Sequence, residues 1–314
     1  MIELIGVPFD LTGKWKGSRL GPDALRLGGI ADTLRDLGER VVDLGDLTRY
    51  REESVEGAIR NFRPLAACVT ALRRVVKTSL ENEAIPIVMG GEHAVSLGGI
   101  AAALEHFEDV ALLWIDAHAD VNSPATSPSG NLHGMPIAAL WGMESGLEGV
   151  RDEQWKQLLE IVGPNRLKSG CTGWYGLREV DPGERQHIAE NGCNYVVPMD
   201  RIDRLGVIET VRMFDDWMRQ CGCKHLWISF DVDSLDPLLA PGTGTAVRGG
   251  ITYREAHLVA ELIREHLDAK DCPYRLVGVD LMEVNPIRDT TNMTALVTIE
   301  WVASLFGKTI MGKR

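Results

Sequence analysis

The sequence predicts a single α/β domain over residues 1–314, with a mostly parallel sheet and helices on both of its faces. Three observations predict it. Short, near-continuous apolar runs recur along the chain, as strands buried on both faces require. Longer segments with helical spacing fall between those runs, the alternation expected of βα units. No repeat, low-complexity tract or charged tail beyond a short "GKR" end divides the chain, and α/β enzymes often run this long as one domain.

The strand candidates, in order, are "ELIGVP" (3–8), "IPIVMG" (85–90), "VALLWI" (110–115), "GWYGL" (173–177), "NYVVPM" (194–199), "HLWISF" (225–230) and "RLVGVDLM" (275–282). Among the helices, "TYREAHLVAELIREHL" (252–267) puts Tyr253, Ala256, Val259, Ala260, Ile263 and Leu267 on one face, and Thr252 with Glu255 reads as a capping box. "DRIDRLGVIETVRMFDDWMRQ" (200–220) and "NMTALVTIEWVASLFG" (292–307) behave alike. The overlapping stretch "LVTIEWVASLFGKTI" (296–310) fits an oligomer interface or the core equally well. Gly90-Gly91 and Gly249-Gly250 are expected where strand gives way to loop.

Composition narrows the function classes. The chain is 45% hydrophobic and 25% charged, ordinary for a globular protein. A formal net charge of −12 argues against nucleic-acid and anionic-membrane partners and leaves room for a cationic small substrate. No apolar run is long enough to span a bilayer. "MIELIGVPFD" carries Glu3 and no basic region before its apolar stretch, unlike a secretory signal, so a cytoplasmic location is expected. The six cysteines form no C-x-x-C pair and are read as free thiols. "CGC" at 221–223 reads as loop composition, with Gly222 suited to a turn after a helix.

In open α/β sheets the ligand site lies beyond the carboxyl ends of the strands. "IPIVMG" leads to His93, "VALLWI" to Asp116, His118 and Asp120, "HLWISF" to Asp231 and Asp233, and "RLVGVDLM" to Glu283. Side chains alternate along a strand, so 116, 118 and 120 are expected on one face, as are 231 and 233. Each motif alone also fits a bland role: His93 as a loop histidine, "DVD" as a capped strand end. Together they would need three independent coincidences at the functional edge, and close buried carboxylates are costly unless cations neutralise them. A metal site is the better reading. Four Asp and two His without thiolate are harder than a structural zinc site and softer than a calcium cage, so Mn(II) fits best, with Fe(II), Co(II) and Ni(II) as alternatives. Four carboxylates balance two divalent ions, and a metal pair about 3.5–4 Å apart makes hydroxide available near neutral pH.

These residues and their surroundings resemble the ureohydrolase family, the arginases, agmatinases and related guanidino-group hydrolases. The likeness runs over essentially the whole chain, through "IGVPFD", "GPDALR", "GGEH", "DAHADVN", "SGNLHGMP", "GLREVDPGE", "SFDVDSLDP" and "MEVNP". It implies a three-layer α/β/α fold around an eight-stranded, mostly parallel sheet. It also implies two Mn(II): one on His93, Asp116, Asp120 and Asp231, the other on Asp116, His118, Asp231 and Asp233, with Asp116 and Asp231 bridging. By the same resemblance Asp120 aims the bridging hydroxide at the guanidinium carbon, His133 shuttles protons, and Glu283 pairs with the substrate guanidinium. Asp280 is expected behind these residues. The family commonly forms trimers or hexamers.

The catalytic core is common to the family, so the substrate must be read elsewhere. "NSPATSPSGNLHG" (122–134) is similar to the arginase form of this loop, where Asn122, Ser127 and Ser129 would receive an α-carboxylate. Asp181 would meet the α-ammonium, with Glu184 beside it. The expected reaction is hydrolysis of L-arginine to L-ornithine and urea. The alternatives are another guanidino substrate (a guanidino acid, agmatine or guanidine) and a non-catalytic module that binds arginine or ornithine. The chain departs from the usual pattern at Glu92 and Glu179, where Asp is common, at Ser127, where Thr is frequent, and at Ala246, where Pro is usual.

Overall fold

The fold is described from a computed structural model covering residues 1–53 and 57–313. Eight strands form one sheet: β1 (Ile2–Gly6), β2 (Val41–Asp46), β3 (Ile85–Met89), β4 (Val110–Ile115), β5 (Thr172–Leu177), β6 (Tyr195–Pro198), β7 (His225–Asp231) and β8 (Arg275–Met282). Their order is β2-β1-β3-β8-β7-β4-β5-β6, and every pairing is parallel.

All seven sequence-expected strands form. The eighth, β2, lies in "VVDLGD", which offers no apolar run because the strand sits at the sheet edge with four of its six residues exposed. A strand covered on both faces must be apolar throughout, whereas an edge strand facing water need not be.

Pleating distributes each central strand between two cores. Along β4, Ala111, Leu113 and Ile115 enter one hydrophobic cluster and Val110, Leu112 and Trp114 the other. The first cluster is closed by the helices Met199–Cys221, Tyr253–Asp268 and Met293–Leu305, the second by Phe62–Glu81, Ser96–His106 and Val150–Val162. The result is three layers, α/β/α.

Local signals act as expected in most places. Thr252 and Glu255 form the reciprocal capping box, and Gly222 ends the Met199–Cys221 helix in the left-handed region (φ 70°). The same helix is broken at Gly206 (φ 75°, ψ 163°). The Met293–Leu305 helix belongs to the core: Trp301 is buried and stacks on Phe230 with centroids 4.1 Å apart. Tyr253, assigned to an apolar face, is instead exposed and donates to Glu300 (3.0 Å). Gly90-Gly91 does follow β3. Gly249-Gly250 instead lies within the long loop after β7, just before the Leu235–Ile251 bridge. Among the described residues no helix is long and apolar enough to cross a membrane.

Candidate metal centre

Four adjacent strands in the middle of the sheet, β3, β8, β7 and β4, bring their carboxyl ends together. Beyond β3, the Gly90-Gly91-Glu92 turn delivers His93. A Cβ on Gly91 would lie 1.7 Å from the Phe9 carbonyl oxygen, so only glycine permits that close passage. Beyond β4 come Asp116, His118 and Asp120. β7 ends on Asp231, with Asp233 in the following 3-10 turn. Glu283 follows β8.

Strand alternation is not what gathers Asp116, His118 and Asp120, because β4 stops at Ile115. A tight loop does it, with the His118 amide donating back to Asp116 Oδ1 (2.7 Å) and Asp120 in a left-handed conformation (φ 51°). Glu283 is also left-handed (φ 63°). Such backbone in non-glycine residues costs about 1–3 kcal/mol each and persists only where the surroundings dictate it.

The side chains converge on two points. His93 Nδ1 lies 3.0 Å from Asp116 Oδ2, 3.0 Å from Asp231 Oδ2 and 3.4 Å from Asp120 Oδ2. His118 Nδ1 lies 3.1 Å from Asp233 Oδ2 and 3.4 Å from Asp116 Oδ1. Asp116 therefore faces both imidazoles, one with each oxygen. Asp231 uses Oδ1 to accept from the Asp233 amide (2.8 Å) and turns Oδ2 toward His93.

This set fits a metal pair. Three carboxylates surround His93 Nδ1, yet among the described residues that buried nitrogen has no hydrogen-bond partner. Its other nitrogen, Nε2, is engaged by Ser229 Oγ (2.9 Å), which leaves Nδ1 as the free coordinating atom. Burial, with Asp233 and Asp116 nearby, pushes the Asp231 carboxyl up to about 8. Burial and then Asp116 raise Asp120, and burial with Asp231 and Glu92 raises Glu283. So many carboxylates ionise together only beside cations. His93, Asp116 and Asp120 form one group able to hold an ion, and Asp116, His118 and Asp233 another.

Side chains that sequence reasoning passed over hold these groups in place. Trp114 stacks on His93 (3.7 Å, 9°) and donates to Asp116 Oδ2 (2.9 Å). Thr245 donates to Asp233 Oδ2 (2.8 Å). Arg178 donates to the carbonyls of Asp233, Ser234, Leu235 and Val247, fixing the loop after β7. None stands in a recognisable spacing: Trp114 lies in an apolar run, Arg178 in "LRE" and Thr245 in "GTGT". Asp280 lies behind the site, fully buried, and accepts from Trp227 Nε1 (2.9 Å). Glu92 turns away from the centre and accepts from the Thr12 and Gly13 amides (2.9 and 2.7 Å), so its extra methylene reaches a loop rather than an ion.

A cavity of about 500 Å³ opens above the cluster. His133 lines it, with Nδ1 3.9 Å from Glu283 Oε1; burial and the nearby imidazoles push it down to about 4, leaving it neutral near pH 7. Glu283 lies beneath, 7% exposed, and accepts from the His93 amide (3.0 Å). Asn122, Ser127, Ser129, Asp181 and Glu184 form part of the wall, as does Ala246. Asn122 Nδ2 donates to Asp181 Oδ2 (2.6 Å), and its Oδ1 accepts from Thr126 (2.8 Å), a partner the sequence did not suggest. Ser127 Oγ accepts from the Gly130 amide (3.0 Å) and Ser129 Oγ from the Asn131 amide (3.2 Å). Asp181 and Glu184 form a capping box on the helix Pro182–Glu190, and burial raises Glu184 to about 7. Glu179 stands at the rim, 66% exposed and 3.7 Å from His118 Nε2.

Comparison with known proteins agrees with this architecture. The family model described as the arginase family matches residues 1–307. The arginase of Bacillus subtilis is 37% identical over 311 residues, 99% of each chain. An arginase of Staphylococcus aureus is 35% identical over 99% of this chain and 98% of its own. The native structure of Bacillus caldovelox arginase superposes with a TM-score of 0.89 at 35% identity, over 99% of each chain. The chain belongs to the arginase family.

Proposed function

We propose that the protein is an arginase, a single catalytic domain over residues 1–314 that hydrolyses L-arginine to L-ornithine and urea with two Mn(II) ions. One observation carries the reading: a single cavity joins the buried Asp/His cluster to a wall of neutral donors ending at Asp181. His93, Asp116, Asp120 and Asp231 would hold one ion, and Asp116, His118, Asp231 and Asp233 the other. Bound there, the pair supplies Lewis acidity and a water deprotonated near neutral pH.

The rest is the work of the chain's own groups. Asp120 accepts a hydrogen bond from the attacking water and sets its direction. Glu283 balances the planar guanidinium charge. Water oxygen adds to the guanidinium carbon, the bond from that carbon to the side-chain nitrogen breaks, and the departing nitrogen takes a proton by way of His133. Asn122 has a second Nδ2 hydrogen to offer the α-carboxylate. The Ser127 and Ser129 oxygens already accept from backbone amides, so their own hydrogens remain to donate. Asp181 takes the α-ammonium.

The test is urea release by Mn-loaded protein from L-arginine, agmatine, guanidino acids and guanidine, with metal measured on the same sample. L-Arginine should give the highest kcat/KM. A preference for agmatine, which lacks the carboxylate, would overturn the substrate. Binding of L-arginine without turnover would identify a non-catalytic module instead.

A further inference from the structure

The opposite edge of the sheet carries a second cluster unrelated to this chemistry. Cys171 ends the 3-10 turn Ser169–Cys171 that leads into β5. Cys221 closes the helix Met199–Cys221, and Cys223 lies two residues before β7. Their three sulfurs lie within 4.8 Å of one another. The gathering is built: Trp217 of the helix donates to the Gly170 carbonyl (2.9 Å), clamping helix to turn. Gly222, left-handed at φ 70°, reverses the chain so that Cys221 and Cys223 both meet Cys171. Cys223 Sγ donates to Cys171 Sγ at 3.1 Å. Both are buried, whereas Cys221 is partly exposed.

Two chemistries suit three sulfurs: a soft metal ion or a disulfide. The setting opposes the first. Three thiolates held here permanently would crowd negative charge against the negative end of the helix dipole. A single thiolate formed in passing at partly exposed Cys221, whose Sγ lies 3.3 Å from the Met218 carbonyl oxygen, is instead solvated. The cation of the last turn, Arg219, is turned toward Asp215 and Asp271. A disulfide is neutral and meets none of these objections.

We propose that Cys171, Cys221 and Cys223 form a reversible oxidation site, in which a small disulfide such as oxidised glutathione converts Cys171 and Cys223 into a disulfide through Cys221. Cys221 loses its proton and attacks one sulfur of the oxidant, whose S–S bond breaks and releases one thiol. Cys171 then attacks Cys221 Sγ, releasing the second thiol, and Cys223 attacks Cys171 Sγ, restoring Cys221. In sum, two protein thiols are oxidised and one small disulfide is reduced to two thiols. The product ties β5 to β7 beneath β4, which pairs with both.

The experiment uses the full-length, metal-loaded protein, incubated with oxidised glutathione, alkylated and digested with trypsin. Cleavage separates peptide 169–178, with Cys171, from 220–224, with Cys221 and Cys223. The expected product is these two peptides linked, lost on treatment with dithiothreitol, with a Tm higher by on the order of 5 °C. Cys221→Ser should form the same link roughly tenfold more slowly, as expected when the accessible thiol is removed. Cys223→Ser should stop at a Cys171–Cys221 link. Absence of the linked peptide, equal rates in parent and Cys221→Ser, or a metal in the purified protein that Cys171→Ser releases would each overturn the proposal.

Discussion

The floor and the wall of the cavity are built on different principles. The floor gathers side chains from four strands far apart in sequence, buries all but the partly exposed His118, and holds two of them, Asp120 and Glu283, in left-handed backbone. The wall takes Asn122, Ser127 and Ser129 from one loop, part of it exposed and tied mostly by bonds over two to four residues, with one longer bond from Asn122 to Asp181. Like charges pressed together need the whole sheet to restrain them, whereas neutral donors need only a turn. The difference teaches that floor substitutions should act on turnover and metal, and wall substitutions on substrate affinity.

The largest effect should come from Asp231→Asn. It replaces a carboxylate that faces His93 and whose other oxygen orders the Asp233 amide. We expect kcat to fall on the order of 10³-fold, several kcal/mol of transition-state stabilisation, and bound metal to drop below two per chain. Urea release with elemental analysis checks both. Near-normal turnover at two ions per chain would break the comparison at its strongest point.

Ser229→Ala sharpens the floor. Ser229 meets His93 at the ring's far nitrogen and also lies 3.5 Å from Ser96 Oγ, so its loss frees the ring to turn without removing a ligand. Metal affinity should fall about 10–100-fold, with kcat at saturating Mn(II) within about twofold of the parent. A metal titration of activity separates the two. A loss of kcat that metal does not restore would mean that Ser229 does more than orient the ring.

Legibility followed the same divide. The floor's ligand types could be read from strand ends because a buried apolar run that closes on Asp or His is chemically anomalous. Their convergence was legible for the wrong reason: β4 ends at Ile115, and a loop with left-handed Asp120 does what pleating was expected to do. The supports Trp114, Ser229, Thr245 and Arg178 were illegible, since a side chain that acts only by touching a distant ligand leaves no local spacing. The wall had no physical signature in sequence beyond loop-forming residues; only resemblance distinguished Asn122 from its neighbours. Strand β2 escaped because edge strands facing water carry no apolar run.

Asn122→Ala tests the wall. It removes the amide between Asp181 and the expected carboxylate. A hydrogen bond to a charged group is worth about 1.5–3 kcal/mol, so KM for L-arginine should rise roughly tenfold or more while kcat stays within a few-fold. Agmatine, which lacks the carboxylate but keeps the amine that Asp181 meets, should lose less, and the two substrates compared in one assay give the result directly. An equal penalty on both would show that Asn122 shapes the loop rather than the affinity.

The smallest effect is expected from Glu179→Gln, although position 179 lies on the cavity rim and departs from the Asp common in this family. Its carboxylate stands 3.7 Å from His118 Nε2 and is 66% exposed, so solvent screens it from the cluster. Exposed ion pairs contribute about 0–1 kcal/mol. We therefore expect kcat/KM for L-arginine and Mn(II) affinity to change less than about fivefold, the limit that 1 kcal/mol sets. The residue lies between floor and wall, so the kind of any larger change is informative. A rise in KM alone would extend the wall past Asp181 to the rim, whereas a fall in metal affinity would make Glu179 the outermost support of His118, held by charge rather than by burial.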